Sequence, residues 1–183
     1  MAGLLPRLDT KRLSLRALGS DDIPFLFAIF GDPEAMRYWS SPPMRELAEA
    51  EELLSKITGH AKAGTLFQWG IARREDDQVI GTATLFRIDP EHRRGEIGYV
   101  LRRDQWGRGL AHEALTALLG HAFDGRNLHR LEADIDPRNA RSIRSVERLG
   151  FKLEGRLRER YFVGGDIQDS LMYGLLAEEW RSR

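Results

Sequence analysis

The chain opens with an alternation of apolar and polar residues, in "RLSLRAL" at residues 12–18. A period of two is typical of a strand with one buried face, so this segment predicts a strand. Six later runs of apolar or alternating character, bounded by turn residues, predict further strands. They cover residues 67–74, 79–88, 95–102, 129–135, 151–162 and 168–176. The short segments "EDDQ" and "VGGD" predict hairpin turns between two pairs of these strands.

Apolar residues spaced by three and four predict helices between these strands. Ser20 is the expected N-cap of the first helix, Gly64 ends the second, and Gly150 ends the last. The predicted helices lie at residues 20–30, 45–63, 110–123 and 139–150.

The resulting order is β-α-α-β-β-β-α-β-α-β-β, in which antiparallel hairpins precede a β-α-β-α-β run. This order favours the α/β class, with a mixed, mostly antiparallel central sheet flanked by helices. We expect one domain over residues 1–183, because neither a repeat nor a long linker divides the chain.

Composition excludes several classes of function. The 28 basic and 28 acidic residues cancel, so no global field favours a nucleic acid or an anionic membrane as partner. The chain has no cysteine, which excludes disulfides and a thiolate nucleophile, and its histidines lack metal-site spacing, so we expect no metal. Without a signal-like or membrane-spanning apolar run, a cytoplasmic location is expected.

The stretch "DQWGRGLAHEALTALLGHAF" (104–123) carries two glycines just before a helix. A strand, a glycine loop and a helix N-terminus together form an anion site, because the first helical N–H groups have no internal partners. The expected N–H donors are Gly107, Arg108, Gly109, Leu110 and Ala111. Arg102, Arg103 and Arg108 would add positive charge around the rim of this site. A tight turn that binds nothing, with solvated arginines, is the alternative.

The usual nucleotide motifs do not fit this loop. The chain contains no GxxxxGK[ST], and no GxGxxG with an acidic residue at the expected distance. A Walker-type nucleotide enzyme or a Rossmann-type oxidoreductase is therefore disfavoured.

Two segments, "GEIGYVLRRDQWGRGLAHEAL" and "DPRNARSIRSVERLGFKLEGRLRERYFVGGDIQDSLMYGLL", together resemble the GNAT N-acetyltransferases, and more narrowly their ribosomal-protein (Rim-type) branch. The resemblance implies the GNAT fold, and acetyl-CoA as co-substrate with its pyrophosphate on the loop amides. The family pattern [RQ]-x-x-G-x-[GA] begins here with Trp106, a departure that the branch often shares as W-G-x-G. Backbone N–H groups near Val100 and Leu101 would polarise the thioester carbonyl, where the strand separates from its neighbour along the pantetheine arm.

The resemblance also implies catalytic residues. Glu96 matches a position where many members place a base, and an outward-facing strand carboxylate is the alternative. Much of the family places a tyrosine seven residues after an asparagine, but the residue so placed after Asn139 is Val146. In the Rim-type branch a serine takes over, here Ser142, as a hydrogen-bond donor to the departing sulfur. Asn139 is assigned to the cofactor site, with helix capping as its alternative.

The acceptor is expected to be a primary amine, either the α-amine of a protein or peptide or a small amine such as a polyamine. Tyr38 and Trp39 could line the acceptor pocket, and Tyr161 lies in the region that closes over the acceptor in this branch. The glutamates of the second helix could attract a cationic acceptor, and Arg141 and Arg144 of the last helix could contact the CoA phosphates. A solvated helix face is the simpler interpretation of both groups.

A non-catalytic CoA-binding module is the second hypothesis, and a nucleotide-binding or oxidoreductase domain is the third. No nucleic acid or membrane partner is expected. An exposed edge strand near the C-terminus is compatible with a monomer or a homodimer.

Overall fold

The computed structural model describes residues 5–183, which form one sheet of eight strands and five α-helices. The short strands β1 (Leu8–Asp9) and β2 (Leu13–Arg16) come first. The elements that follow are α1 (Ile23–Phe30), α2 (Leu47–Ala63), β3 (Leu66–Arg73), β4 (Val79–Asp89), β5 (Arg94–Leu101), α3 (Leu110–Gly120), β6 (Arg130–Ile135), α4 (Ala140–Arg148), β7 (Lys152–Val163), β8 (Asp166–Leu176) and α5 (Ala177–Arg181).

The predicted order of elements is confirmed, and the structure adds an element at each end. Strand β1 is only two residues long, too short for an alternation to be read. Helix α5 is held by Glu179, whose carboxylate accepts the Leu176 N–H at 3.0 Å. The predicted N-cap Ser20 is wrong: a 3₁₀ turn occupies Ser20–Asp22, and α1 begins at Ile23. The Asp22 carboxylate stabilises this turn by accepting the Gly19 N–H at 2.8 Å.

The sheet has the strand order β1-β2-β3-β4-β5-β6-β8-β7, and its pairs are antiparallel except β5 with β6. The parallel pairing extends only from Arg94 to Glu96 on β5. Beyond Glu96, β5 remains paired with β4 as far as Leu101, while β6 remains paired with β8 as far as Ile135. The two strands therefore diverge, and the sheet contains a split at its centre.

The two faces of the sheet bury separate apolar clusters. One cluster packs α3 and α4 against the sheet and includes Leu115, Leu118 and Val146, all fully buried. The other packs α1 and α2 on the opposite face, around Leu26 and Ile29. The split between β5 and β6 connects these two faces. Within residues 5–183, no helix combines the length and apolar character needed to cross a bilayer.

Candidate active site

A cavity of about 440 Å³ lies at the split in the sheet. From the α1/α2 face it is lined by apolar side chains such as Phe30 and Trp39, and from the opposite face by Ser142 and Val146 of α4. Glu96 lies between them. The cavity therefore passes through the sheet, and ligands that enter from opposite faces can meet inside it.

Glu96 is the last residue of β5 that pairs with β6, and its carboxylate faces this cavity. Its side chain is only 7% exposed, and Arg87 Nη1 donates to Glu96 Oε2 at 2.8 Å. Burial raises the pKa of Glu96, and the Arg87 guanidinium opposes that rise without cancelling it. The outward-facing alternative is wrong, because a buried carboxylate that lines a cavity is not a solvated strand residue.

Arg87 reaches Glu96 from an irregular part of β4. The register between β4 and β5 shifts between Phe86 and Asp89, and Arg87 has a φ of +47°. Left-handed backbone is uncommon for a residue with a Cβ, and β-bulges often redirect a side chain beside a functional site. The bulge here accompanies an arginine placed against the buried carboxylate.

Asp134 is a second carboxylate on this cavity, and the sequence analysis missed it. Its side chain is 7% exposed. Arg160 Nε donates to Asp134 Oδ2 at 2.8 Å, the Tyr161 hydroxyl donates to the same oxygen at 2.7 Å, and Ser170 Oγ donates to Oδ1. The sequence feature that could have indicated Asp134 is an acidic residue between two apolar residues of a central strand, Ala133 and Ile135, which are both buried.

A bulge in β7 makes this arrangement possible. Adjacent residues on a regular strand point to opposite faces, yet Arg160 and Tyr161 both reach Asp134. The register of β7 against β8 shifts between Leu157 and Tyr161, and Glu159 lies there with a φ of +54°. Asp169 accepts the Glu159 N–H at 2.8 Å, so the bulge carries its own hydrogen bond.

The predicted glycine loop joins β5 to α3. Gly107 and Gly109 have φ values of +75° and +74°, a conformation that side chains rarely adopt. Gly109 is the N-cap of α3 and supplies no side-chain cap, so the N–H groups of Leu110 and Ala111 remain open for an external acceptor. The structure therefore brings together the donors that the sequence predicted. Arg108 lies between the glycines, and its carbonyl accepts Arg12 Nη1 at 2.9 Å.

The aromatic residue that opens the loop anchors it. Trp106 Nε1 donates to the Leu101 carbonyl at 2.8 Å, which ties the loop to the end of β5. The Arg141 guanidinium lies 4.6 Å from the centroid of the Trp106 ring, so this arginine of α4 stands beside the loop. Two rim arginines already have acidic partners: Arg102 pairs with Asp104 at 2.6 Å and Arg103 with Asp32 at 3.6 Å.

The register of β5 decides which of its amides open onto the split. Arg102 N–H donates to the Ile80 carbonyl at 2.8 Å, so the N–H of Arg102 points toward β4. Backbone groups alternate in direction along a strand, so Val100 also points toward β4, while Tyr99 and Leu101 point toward the split. Of the two amides expected at the thioester, only that of Leu101 faces the cavity side.

Helix α4 brings Asn139 and Ser142 to the cavity. Asn139 Oδ1 accepts the Ser142 N–H at 3.1 Å, so Asn139 caps its helix and also lines the cavity wall. Val146, one turn further on, is fully buried and apolar.

The N-terminal part of the chain forms the other wall. Tyr38 and Trp39 line the cavity, and the Trp39 ring packs edge-on against Phe30 with centroids 5.6 Å apart. Trp39 therefore serves both as a cavity wall and as core packing. The glutamates of α2 do not line the cavity, and Glu51 and Glu52 are exposed, which leaves them a solvated face.

The pattern of the acetyltransferase (GNAT) domain matches residues 12–152. The chain belongs to the GNAT acetyltransferase family. This confirms the resemblance seen in the sequence, and the split sheet and its glycine loop are the fold that the resemblance implied. The chain is therefore an N-acetyltransferase, and the non-catalytic and oxidoreductase alternatives are wrong.

Individual relatives agree with this assignment. The chain is 36% identical over 173 residues to the uncharacterised N-acetyltransferase p20 of Bacillus licheniformis, covering 94% of this chain and 97% of that protein. The spermidine N-acetyltransferase of Vibrio cholerae, solved with CoA and spermine, has a TM-score of 0.83 at 26% identity and covers 94% and 99%. RimJ of Mycobacterium smegmatis, solved with CoA-disulfide, has a TM-score of 0.83 at 25% identity and covers 91% and 83%.

Metal ligation has no candidate in the part of the chain that the structure describes, because no three His, Asp or Glu side chains come together there.

Proposed function

We propose that this GNAT enzyme transfers an acetyl group from acetyl-CoA directly to a primary amine, with both substrates bound together in the cavity. The observation that carries the proposal is the buried carboxylate of Glu96 at the split, where the cavity joins the two faces of the sheet. Because the chain has no cysteine, an acetyl-cysteine enzyme cannot form. We keep the sequence-based expectation of a single cytoplasmic domain.

The residues present fit acetyl-CoA. The N–H groups at the start of α3, which follow Gly107 and Gly109 and have no side-chain cap, suit its pyrophosphate. The Leu101 N–H, directed toward the split, suits the pantetheine arm or the thioester. When bound, acetyl-CoA supplies an acyl group activated as a thioester.

Glu96 is assigned as the base. Free α-amines have a pKa of about 7.7–8.0, so much of the acceptor arrives as ammonium and must lose a proton before it can attack. Glu96 takes the ammonium proton and releases it to solvent, which leaves a neutral amine. As the nitrogen lone pair then forms the C–N bond, the C–S bond breaks with its electrons on sulfur, and Glu96 takes the second proton from nitrogen. The raised pKa of Glu96 brings its basicity closer to that of the amine. Ser142 is assigned as a donor to the departing sulfur.

We assign the acceptor as the α-amine of a protein or peptide. A polyamine carries several positive charges and needs several unpaired carboxylates. The acidic residues that line this cavity each have an arginine partner. The pairs are Glu96–Arg87, Asp134–Arg160, Asp136–Arg138 and Asp169–Arg156.

The apolar wall around Trp39 suits the side chain of a first residue better than a chain of ammonium groups. The likeness to RimJ agrees with the Rim-type resemblance on which the α-amine assignment rests. The likeness to the spermidine enzyme of Vibrio cholerae makes a polyamine the second candidate.

The test measures CoA release with acetyl-CoA and a panel of acceptors, followed by mass spectrometry of the products. The panel contains short peptides with different first residues, their N-terminally blocked forms carrying an internal lysine, spermidine and free amino acids. We expect unblocked peptides to be acetylated at the α-amine and blocked ones to fail. Turnover of spermidine above that of every peptide would assign the second candidate, and turnover of no amine would overturn the proposal.

A further inference from the structure

Tyr99, three positions after Glu96 on β5, lines the cavity and has no role in the mechanism above. Tyr99 lies on the opposite face of the strand from Glu96, together with Ile97 and Leu101, where it packs against the cluster that holds α3 and α4. Glu96 and Tyr99 thus border the cavity from the two faces of the sheet.

Tyr99 and Ser142 of α4 line the same cavity. Burial raises the pKa of Tyr99, and the hydroxyls of Ser142 and Ser145 beside it lower that pKa by less. These two serines are three residues apart, so they share one face of the helix. The phenol consequently keeps its proton at neutral pH and can donate a hydrogen bond.

The position that carries a tyrosine in much of the family offers no donor here. Val146 is apolar and fully buried, one turn from Ser142 on the same helix. Tyr99 of β5 and Ser142 of α4 bring hydroxyl groups to this side of the cavity, and either can donate to sulfur. A serine hydroxyl is a much weaker acid than a phenol, whose ordinary pKa is about 10.

We propose that the Tyr99 hydroxyl donates a hydrogen bond to the sulfur of CoA as the thiolate leaves, beside the donor already assigned to Ser142. This inference rests on the proposed acetyl transfer at the same site. When the C–S bond breaks, its electron pair goes to sulfur, and the Tyr99 O–H stabilises that charge while keeping its proton. The thiolate takes its proton from solvent after release, and the proton taken up by Glu96 returns to solvent.

The variant that tests this is Tyr99→Phe, which removes one oxygen and keeps the ring in place. Its matched control is Tyr173→Phe, because Tyr173 is a sheet tyrosine in the same apolar cluster that lies outside the cavity and contacts Glu147. CoA and desulfo-CoA are titrated into each protein between pH 6.5 and 9.5, and kcat and the KM for acetyl-CoA are measured with the best acceptor.

A hydrogen bond to a charged acceptor corresponds to an effect of about 10- to 100-fold. We expect Tyr99→Phe to lower kcat by that factor with little change in KM for acetyl-CoA. We also expect it to weaken CoA binding at pH 9.5, where the thiol ionises, but not at pH 6.5. Binding of desulfo-CoA should be unchanged at every pH.

Equal pH dependence of CoA affinity in Tyr99→Phe and the wild type would overturn the inference, as would a Tyr173→Phe variant with the same defect. A general structural role would weaken CoA and desulfo-CoA alike. The binding measurements need no turnover, so failure of the proposed acceptor chemistry and failure of the Tyr99 role give different results.

Discussion

At the residue scale, two carboxylates on the same cavity are held in different ways. Glu96 has one charged partner, the half-exposed Arg87, and burial dominates its titration. Asp134 instead accepts three donors, from Arg160, Tyr161 and Ser170. These donors come from β7 and β8, so Asp134 of β6 joins three neighbouring strands. The buried position and raised pKa of Glu96 support its proposed role as the base, whereas the hydrogen bonds of Asp134 support a structural role.

The hydrogen bond from Tyr161 to Asp134 makes a prediction about stability. Tyr161→Phe removes a donor to a buried charge, and such bonds contribute about 1.5–3 kcal/mol. We expect the free energy of unfolding in urea to fall by about that amount. Tyr38→Phe is the control, since its hydroxyl is not among the partners of Asp134, and it should fall within about 0.5 kcal/mol of the wild type. Equal stability of Tyr161→Phe and Tyr38→Phe would contradict the role given to this hydrogen bond.

At the element scale, the glycine loop and α3 form one unit. The positive φ of Gly109 ends the loop and starts the helix without placing a side chain over the first N–H groups. Trp106 holds the loop to β5 through the Leu101 carbonyl. The proposed binding of the CoA pyrophosphate at this helix thus depends on the backbone conformation of the loop.

Gly109→Ala tests this dependence. A left-handed residue with a Cβ costs about 1–2 kcal/mol, so the loop should relax away from its binding conformation. We expect affinity for acetyl-CoA, measured by calorimetry, to fall at least about tenfold. Gly120→Ala, in the same helix but with an ordinary helical φ of −56° and no atom near its Cβ, should bind as the wild type does. Unchanged affinity in Gly109→Ala would show that the loop amides do not hold the co-substrate.

The π-helical turn after α3, His121–Gly125, begins with a half-buried histidine. Burial lowers the pKa of His121, and the positive charge of Arg126 adds to the effect. The unfolded chain binds a proton near pH 6.5, whereas the folded chain binds it only at lower pH. Folding therefore becomes less favourable as the pH falls below that value.

We expect the free energy of unfolding to decrease from pH 7 to pH 5, by at most about 1.4 kcal/mol per pH unit from this residue. Denaturation of the wild type and of His121→Gln across this range measures the contribution. The slopes of the two proteins should differ in that window and agree above pH 7.5. Parallel curves throughout would mean that His121 does not titrate differently in the folded state.

At the scale of the whole molecule, the local elements were predictable because each carries its own apolar period and its own stop signals. The glycine loop was predictable for the same reason, since Gly107 and Gly109 stand directly before the helix whose N-terminus they open. The resemblance added Glu96 and Ser142, which no spacing rule would have selected.

The network around Asp134 could not be predicted, because it depends on contacts between residues distant in the chain. Tyr161 and Asp134 are 27 residues apart, and they meet only because β7 bulges between Leu157 and Tyr161. The two-residue slip is invisible in the alternation of "FKLEGRLRERYF". The direction of the Val100 and Leu101 amides likewise follows from the register with β4, which only the folded sheet fixes.

The most direct measurement is the pH dependence of kcat, with acetyl-CoA and the best peptide both saturating, for the wild type and Glu96→Gln. The proposed base must be ionised to act, so the wild-type kcat should fall only as the pH drops through the raised pKa of Glu96. Glu96→Gln should lose about 10²- to 10⁴-fold in kcat, and its remaining rate should follow the amine, falling below about pH 8. Its affinity for acetyl-CoA should match the wild type. A Glu96→Gln variant with wild-type kcat and an unchanged profile would contradict the assignment of Glu96 as the base.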